Sequence, residues 1–304
     1  MDAIKFAEDE TYNLIELRSD LVNKTYKHSG YNQFYVYEPK ERLIYAPHFR
    51  DKVVQIAVNN ILKDVYNPCF IYDSYGSIDN KGTHKCVDRI SHFMRKAKWM
   101  YGEEAYIVKL DIKKFFYSID RGILKRIIRK KIKCKDTLWL LDLIIDTAKE
   151  IDEKGLPLGN ALSQLMANVY LNEADQYAKH TLRLKFYIRY MDDMIIIVEN
   201  KQRAKEVLRL IEIFINENLH LELNHEKSKV FPISQGVNAI GFKIHPTHRL
   251  LRNSSKKKIK RKIKAMPNIV TNKGTKLIKT EQMLNSWLGH ARNGSSYNFI
   301  NQLL

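Results

Sequence analysis

The chain has 304 residues, 44% hydrophobic and 28% charged, and its 52 Lys and Arg outnumber 34 Asp and Glu to give a net charge of +18. Such a balance excludes a disordered, collagen-like or membrane-spanning chain, and the length is enough for two or three subdomains with a sizeable core. Three cysteines, Cys69, Cys86 and Cys134, are too few and too far apart for a disulfide framework or a CxxC metal pair. The opening MDAIKFAEDE lacks the basic and apolar runs of a signal peptide, and no apolar stretch approaches the roughly 18 residues of a membrane span, so a cytoplasmic, intracellular protein is expected.

In chain order, residues 1–30 read as helical, and Asp51–Val65 and Val87–Trp99 repeat apolar residues at spacings of three and four, the mark of one-sided helices. Ala105–Leu110 (AYIVKL) is a short buried-strand pattern ending at Asp111, with helical patterns after it over Gly122–Lys133 and Thr137–Thr147. Gly155, Pro157 and Gly159 punctuate the chain ahead of a helical run from Asn160 to Tyr177. Phe186–Val198, FYIRYMDDMIIIV, is two β-rich runs about Met191-Asp192-Asp193, a hairpin signature. A helix over Gln202–Glu217, a strand around Leu219–Leu223 and another over Ala239–Ile244 complete an α+β pattern without repeats or low-complexity linkers.

The charge is concentrated at the end. From Lys227 to Leu304 there are 16 Lys or Arg against one acid, Glu281, while the first 226 residues are nearly neutral. A solvated basic face is the ordinary account of a Lys-rich run such as SKKKIKRKIKAM (Ser255 to Met266). Self-repulsion across the acid-free span Lys227–Thr280 argues instead for a polyanionic partner, and Ile259, Ile263 and Met266 at helical spacing argue for a folded basic helix.

Two adjacent acids at a hairpin tip are usually only a turn. Here the flanks, Tyr190-Met191 and Met194 to Val198, are apolar, so Asp192 and Asp193 would sit on buried strands where unpaired carboxylates are costly and repel each other. Asp111 ends the other strand pattern and could join them at one sheet edge. Three carboxylates about two Mg²⁺ suit phosphoryl transfer, in which a 3′-hydroxyl is activated and a leaving pyrophosphate is stabilised.

DIKKFF (Asp111 to Phe116), LPLGNALSQ (Leu156 to Gln164) and YMDD (Tyr190 to Asp193) resemble, in this order, motifs A, B and C of reverse transcriptases. KERLIYAPHFRDKVVQ (Lys40 to Gln55) resembles the fingers segment of group II intron-type reverse transcriptases and SYG (Ser74 to Gly76) the next block. NHEKSK (Asn224 to Lys229) resembles motif D, NAIGFKI (Asn238 to Ile244) motif E, and the remainder a short thumb. Most reverse transcriptases carry Gln-Gly, three residues, then Ser-Pro in motif B. This chain has Leu158-Gly159, three residues, then Ser163-Gln164, similar to the stand-alone enzymes of diversity-generating retroelements; retron enzymes, which keep the Gln and Pro, are a poorer match.

The resemblance implies an α+β right-hand polymerase: fingers from residues 1–104 and 121–153, a palm from 105–120 and 154–247 whose antiparallel sheet carries the catalytic Asp residues, and a basic helical thumb from 248–304. It implies RNA-directed DNA synthesis, error-prone at template adenines for mutagenic retrohoming, in a prokaryotic or phage-encoded system. Two Mg²⁺, replaceable by Mn²⁺, would be held by Asp111, Ile112, Asp192 and Asp193. Phe116 would bar a ribose 2′-hydroxyl, although its bland reading is core, as Phe115 stands beside it. Lys40 and Arg42 would clamp the dNTP triphosphate, Arg with a bidentate fork, with Leu158, Gly159 and Gln164 bordering the nascent base pair. Lys227 would protonate pyrophosphate, against the ordinary reading of an exposed lysine. Lys256, Lys257, Lys258 and Arg261 would grip the RNA/cDNA duplex. The implied partners are template RNA, dNTPs and a small basic accessory variability protein, with no membrane. The ten histidines show no metal spacing. The rival readings are a faithful group II intron-like or other stand-alone reverse transcriptase and a non-catalytic RNA-binding scaffold; the clustered acids in a basic chain argue against the scaffold.

Overall fold

A computed structural model describes residues 3–37, 41–150, 153–270 and 275–303. The chain opens with α1 (Ala3–Glu8) and α2 (Glu10–Val22). Helix does not continue to residue 30 as expected, because Lys24 turns into the left-handed region at φ 58° and the amides of Thr25 and Tyr26 bond back to the Asp20 carbonyl. An unexpected antiparallel ribbon follows, β1 (Tyr31–Val36) with β2 (Arg42–Pro47), in register from Tyr31↔Pro47 to Val36↔Arg42. Nearly all of β1 is exposed, so it has no buried face and none of the alternation by which a strand is read.

The next elements are α3 (Phe49–Tyr66), β3 (Ser74–Tyr75), α4 (Thr83–Tyr101), β4 (Tyr106–Asp111) and α5 (Phe115–Ser118). Then come α6 (Arg121–Lys131), α7 (Lys135–Asp146) and α8 (Ala161–Gln176). Asp120 caps α6 by accepting from the Ile123 amide at 3.0 Å, and Asn160 caps α8 by accepting from Ser163. The hairpin β5 (Phe186–Tyr190) and β6 (Asp193–Val198) leads to α9 (Lys201–Leu219) and β7 (Lys229–Pro232). The short strands β8 (Val237–Ala239), β9 (Phe242–Ile244) and β10 (Arg249–Leu251) precede α10 (Asn253–Val270), α11 (Thr275–Ala291) and α12 (Tyr297–Asn301).

Two strand expectations are corrected. No strand forms over Leu219–Leu223: α9 runs through Leu219, His220 turns left-handed at φ 48°, and within that segment Leu223 alone bridges Ile112. The alternation there is real, with Leu219, Leu221 and Leu223 buried, but the run meets only the end of β4. Ala239–Ile244 is not one strand but the β8–β9 hairpin, closed by Ile240 and Gly241, both with positive φ as a two-residue type I′ turn requires.

The central sheet has the order β3-β5-β6-β4-β7, with β3 parallel to β5 and the other pairs antiparallel. Strand alternation gives it two buried faces. Val108, Leu110, Met194 and Ile196 pack with α8 and α9, while Ile107, Ile188, Ile195 and Ile197 pack with Cys86, Ile90 and Met94 of α4 and with the β10-β9-β8 sheet. At about 1.5–3 kcal/mol per fully buried Ile, Leu or Met side chain, this double burial makes the sheet the rigid frame of the molecule. Among the described residues no helix is long and apolar enough to cross a membrane.

Candidate active site

Antiparallel register places Asp111, the last residue of β4, opposite Asp193, the first of β6, so their side chains share a face at one end of the sheet. Asp192 occupies the two-residue β5–β6 turn behind Met191, whose φ of 54° lies in the left-handed region that favours glycine. The backbone of Asp111 is gripped by the loop after α9: its carbonyl accepts from the Asn224 amide at 2.8 Å and its amide donates to Ser228 Oγ at 3.2 Å. The Lys227 ammonium donates to Asp111 Oδ1 at 2.7 Å, which raises the Lys227 pKa and keeps it charged. Lys109 Nζ approaches Asp193 Oδ1 at 3.3 Å, outside hydrogen-bonding geometry, so that buried oxygen has no hydrogen-bond partner. Burial pushes the Asp192 carboxyl up, and the charges of Asp193 and Asp111 push it further in the same direction.

These donors fit a divalent cation. Carboxylate oxygens suit Mg²⁺, Asp193 Oδ1 faces the Lys109 ammonium without accepting a hydrogen bond, and a positive ion would relieve the destabilised Asp192 anion. Among the described residues, however, no three His, Cys, Asp or Glu side chains converge into a preassembled cage. Ile112 is buried, and the bonds of its bridge to Leu223 run from Asn224 to the Asp111 carbonyl and from Lys113 to the Glu222 carbonyl, leaving the Ile112 carbonyl outside the bridge.

Phe115 and Phe116, with ring centroids 5.5 Å apart, are separated by burial: Phe115 lies in the core, Phe116 at its edge. The Phe116 carbonyl accepts from Leu156 and the Leu158 carbonyl from Tyr45, both at 2.8 Å, so the loop before α8 is held between α5 and β2. Gly159, at φ 123°, is required there, since a Cβ would meet Ile44 Cγ2 at 2.7 Å. Gln164 Oε1 accepts from Ser77 Oγ at 2.7 Å, beside the Met191 side chain. Arg42 stands exposed at the start of β2, paired with Val36 of β1, and Lys40 lies outside the described residues.

Sequence reasoning missed the support beneath the turn. Arg189 and Asp175 form a fully buried ion pair at 2.7 Å, and Asn168, Ser74 and the Met191 carbonyl complete the bonding of the guanidinium. The signal was available: Arg within FYIRY and Asp within LNEADQ are charges on otherwise buried elements, which demands a partner.

A cavity of ≈ 660 Å³ beside the carboxylates is lined by Lys109, Lys227, Lys243, Arg252 and Lys256. Arg252 Nε is buried without a hydrogen-bond partner. α10 is anchored by the buried Ile259 and by Lys256 lying 5.3 Å over the Phe299 ring, while Lys257, Lys258 and Arg261 are exposed.

Facing carboxylates at one end of a sheet, a lysine bonded to one of them and a cationic cavity alongside form a site suited to phosphoryl chemistry. The family described as reverse transcriptase (RNA-dependent DNA polymerase) matches residues 27–244, and the chain belongs to it. The chain is 24% identical over 311 residues to the group II intron-encoded protein LtrA of Lactococcus lactis subsp. cremoris, covering 79% of this chain and 50% of that protein. It is 27% identical over 235 residues to the retron Ec73 reverse transcriptase of Escherichia coli, covering 72% and 70%. The fold matches an apo telomerase from Candida tropicalis truncated from its C-terminal domain with a TM-score of 0.57 at 15% identity, covering 80% of this chain and 60% of that one. The chain spans half or less of the length of intron-encoded relatives.

Proposed function

We propose that this enzyme copies template RNA into cDNA as a group II intron-like reverse transcriptase, with Asp111, Asp192 and Asp193 as its catalytic carboxylates. The observation that carries the reading is the Asp111↔Asp193 register beside the Asp192 turn, with Lys227 on the same carboxylate. The intron-encoded and retron relatives support it. In this reading residues 105–120 and 154–247 are the palm, 1–104 and 121–153 the fingers, and 248–304 the thumb.

Asp111, Asp192, Asp193 and the Ile112 carbonyl would hold two Mg²⁺, which Mn²⁺ could replace. When bound, such ions lower the pKa of a primer 3′-hydroxyl and neutralise charge on the phosphates. The chain's own residues orient and exclude: Leu158 and Gly159 border the base pair, Gln164 is steadied by Ser77, and Arg42 reaches for triphosphate oxygens, as Lys40 would. Lys227, held charged by its bond to Asp111, would give a proton to departing pyrophosphate. The test is primer extension on an RNA template with dNTPs and Mg²⁺; absence of any cDNA would sink the reading.

The basic quarter is assigned to the template–primer duplex. Wild-type affinity should fall steeply with salt, and neutralising Lys256, Lys257, Lys258 and Arg261 should flatten the slope of log affinity against log salt by roughly one unit per lost phosphate contact. An unchanged slope would place these side chains in solvent.

A second reading, the mutagenic enzyme of a diversity-generating retroelement working with an accessory variability protein in a bacterial or phage cytoplasm, rests on Leu158 and Gln164. Leu158 offers the template nucleotide apolar contact and no side-chain hydrogen bond. A loss of about 1–3 kcal/mol in discrimination permits roughly ten- to two-hundred-fold more errors. Leu158→Gln is expected to lower misincorporation at template adenines with activity in the same range, read by sequencing cDNA. A wild type no worse at adenine than at other bases removes this reading and leaves the faithful enzyme.

A further inference from the structure

We infer that Arg189 is a positioning residue for catalysis, its buried guanidinium holding the left-handed Met191 turn in the conformation that sets Asp192 beside Asp111 and Asp193. The inference rests on the polymerase reading and extends it to a residue that meets neither substrate nor metal.

All five guanidinium N–H groups are engaged. Nε donates to Asp175 Oδ1 at 2.8 Å and Nη2 to Asp175 Oδ2 at 2.7 Å; the other Nη2–H goes to Ser74 Oγ at 2.9 Å. Nη1 donates to Asn168 Oδ1 at 3.0 Å and to the Met191 carbonyl at 2.8 Å. Arg189 and Asp175 are both 0% exposed. A buried ion pair carries a heavy desolvation cost, and apolar residues of similar volume commonly hold two elements together as well or better. Stability alone is therefore a poor account of this network.

Its geometry supplies a better one. The network spans from α8 through β5 to the β3 edge, and one arm leaves it to end on a backbone carbonyl in the turn. Met191 is strained at φ 54°, and both its backbone polar groups are restrained: the amide donates to the Tyr75 carbonyl at 3.0 Å and the carbonyl accepts from Arg189. The Met191 side chain lies against Gly76, where a Cβ would stand 2.8 Å from its Cγ and Sδ. The Gly76 carbonyl in turn accepts from Asn168 Nδ2 at 3.0 Å, and Asn168 is itself bonded to Arg189. Restraints on the carbonyl and the side chain of Met191 thus converge on one guanidinium. Asp192 follows directly on this residue in the two-residue β5–β6 turn, so a loosened turn would free its carboxylate to move away from Asp111 and Asp193.

Arg189→Lys keeps a positive charge against Asp175, but three N–H groups cannot serve Asp175, Asn168, Ser74 and Met191 together. The expected result is a kcat for primer extension reduced by about ten-fold or more, as small displacements of reacting groups produce, with KM for dNTP and duplex affinity within about two-fold of wild type. Arg189→Met combined with Asp175→Leu removes the buried charges as a pair. The Tyr187 hydroxyl, Asn168 and the Met191 carbonyl lose partners in this variant and lower its melting temperature, so kcat is read well below that transition, where it should fall similarly with KM for dNTP and duplex affinity near wild type, a split that a merely structural role does not produce. A folded variant with kcat within about two-fold of wild type overturns the inference, as does failure of both variants to fold, which would make the network a stability element. Failure of the wild type to extend a primer would instead overturn the polymerase reading.

Discussion

Asp192→Asn combined with Asp193→Asn is expected to reduce primer extension by about 10³-fold or more while RNA–duplex affinity stays within a few-fold of wild type. The two halves have separate physical causes. Carboxylates that hold cations act mainly on the transition state, where several kcal/mol of charge stabilisation correspond to three or more decades in rate. Duplex affinity is expected from phosphate contacts, and the cations lining the neighbouring cavity all remain, with Lys109 alone losing the charge of its Asp193 neighbour. The double variant should also melt no lower than wild type in the presence of a chelator, since it removes repulsion among neighbouring acids and burial already disfavours the Asp192 charge. Single-turnover extension, salt-dependent binding and thermal melting report the three quantities. Extension at the wild-type rate would remove these residues from the chemistry.

Phe116→Ala is expected to admit ribonucleotides, lowering discrimination against rNTPs by roughly ten- to two-hundred-fold while dNTP incorporation stays in the same range. Sequence left two adjacent rings as candidates. Burial separates them, because Phe115 packs in the core and Phe116 stands at its edge, where its carbonyl also anchors the loop carrying Leu158. Phe115→Ala should accordingly destabilise the fold by about 3–5 kcal/mol, as large aromatic truncations in cores do, without relaxing sugar selection. The ratio of kcat/KM for dNTP and rNTP in each variant checks both statements. An unchanged ratio in Phe116→Ala would assign the gate to another side chain.

Much of the site was legible because its chemistry resides in short contiguous strings. The alternation of AYIVKLD and the apolar flanks of YMDD place Asp111 and the Asp pair at strand ends, and the structure sets Asp111 of β4 opposite Asp193 of β6, with Asp192 in the turn before it. Other parts were illegible for identifiable reasons. In the β1–β2 ribbon, β1 is exposed nearly throughout and β2 is half-buried without alternation, so neither strand carries a period of two. The run around Leu221 alternates like a strand, yet its burial comes from packing beside α9 and the end of β4 rather than from a ladder. Ile240 at positive φ hides the β8–β9 turn, since a β-branched residue is a poor turn signal.

What the sequence by itself determined is therefore the inventory and its order: the charge imbalance toward the C-terminal quarter, the helix and strand periods, and the three motifs, two of which carry the carboxylates. These are local properties, set by side-chain chemistry and by spacings of a few residues. Only the tertiary structure decided which groups meet. Asp111 and Lys227 lie 116 positions apart and join through one hydrogen bond, Ser74 reaches Arg189 across 115, and Asn168 reaches Gly76 across 92. Such pairings depend on strand order and on how α8 crosses the sheet, which follow from burying both sheet faces at once and leave no mark in any short window of the chain.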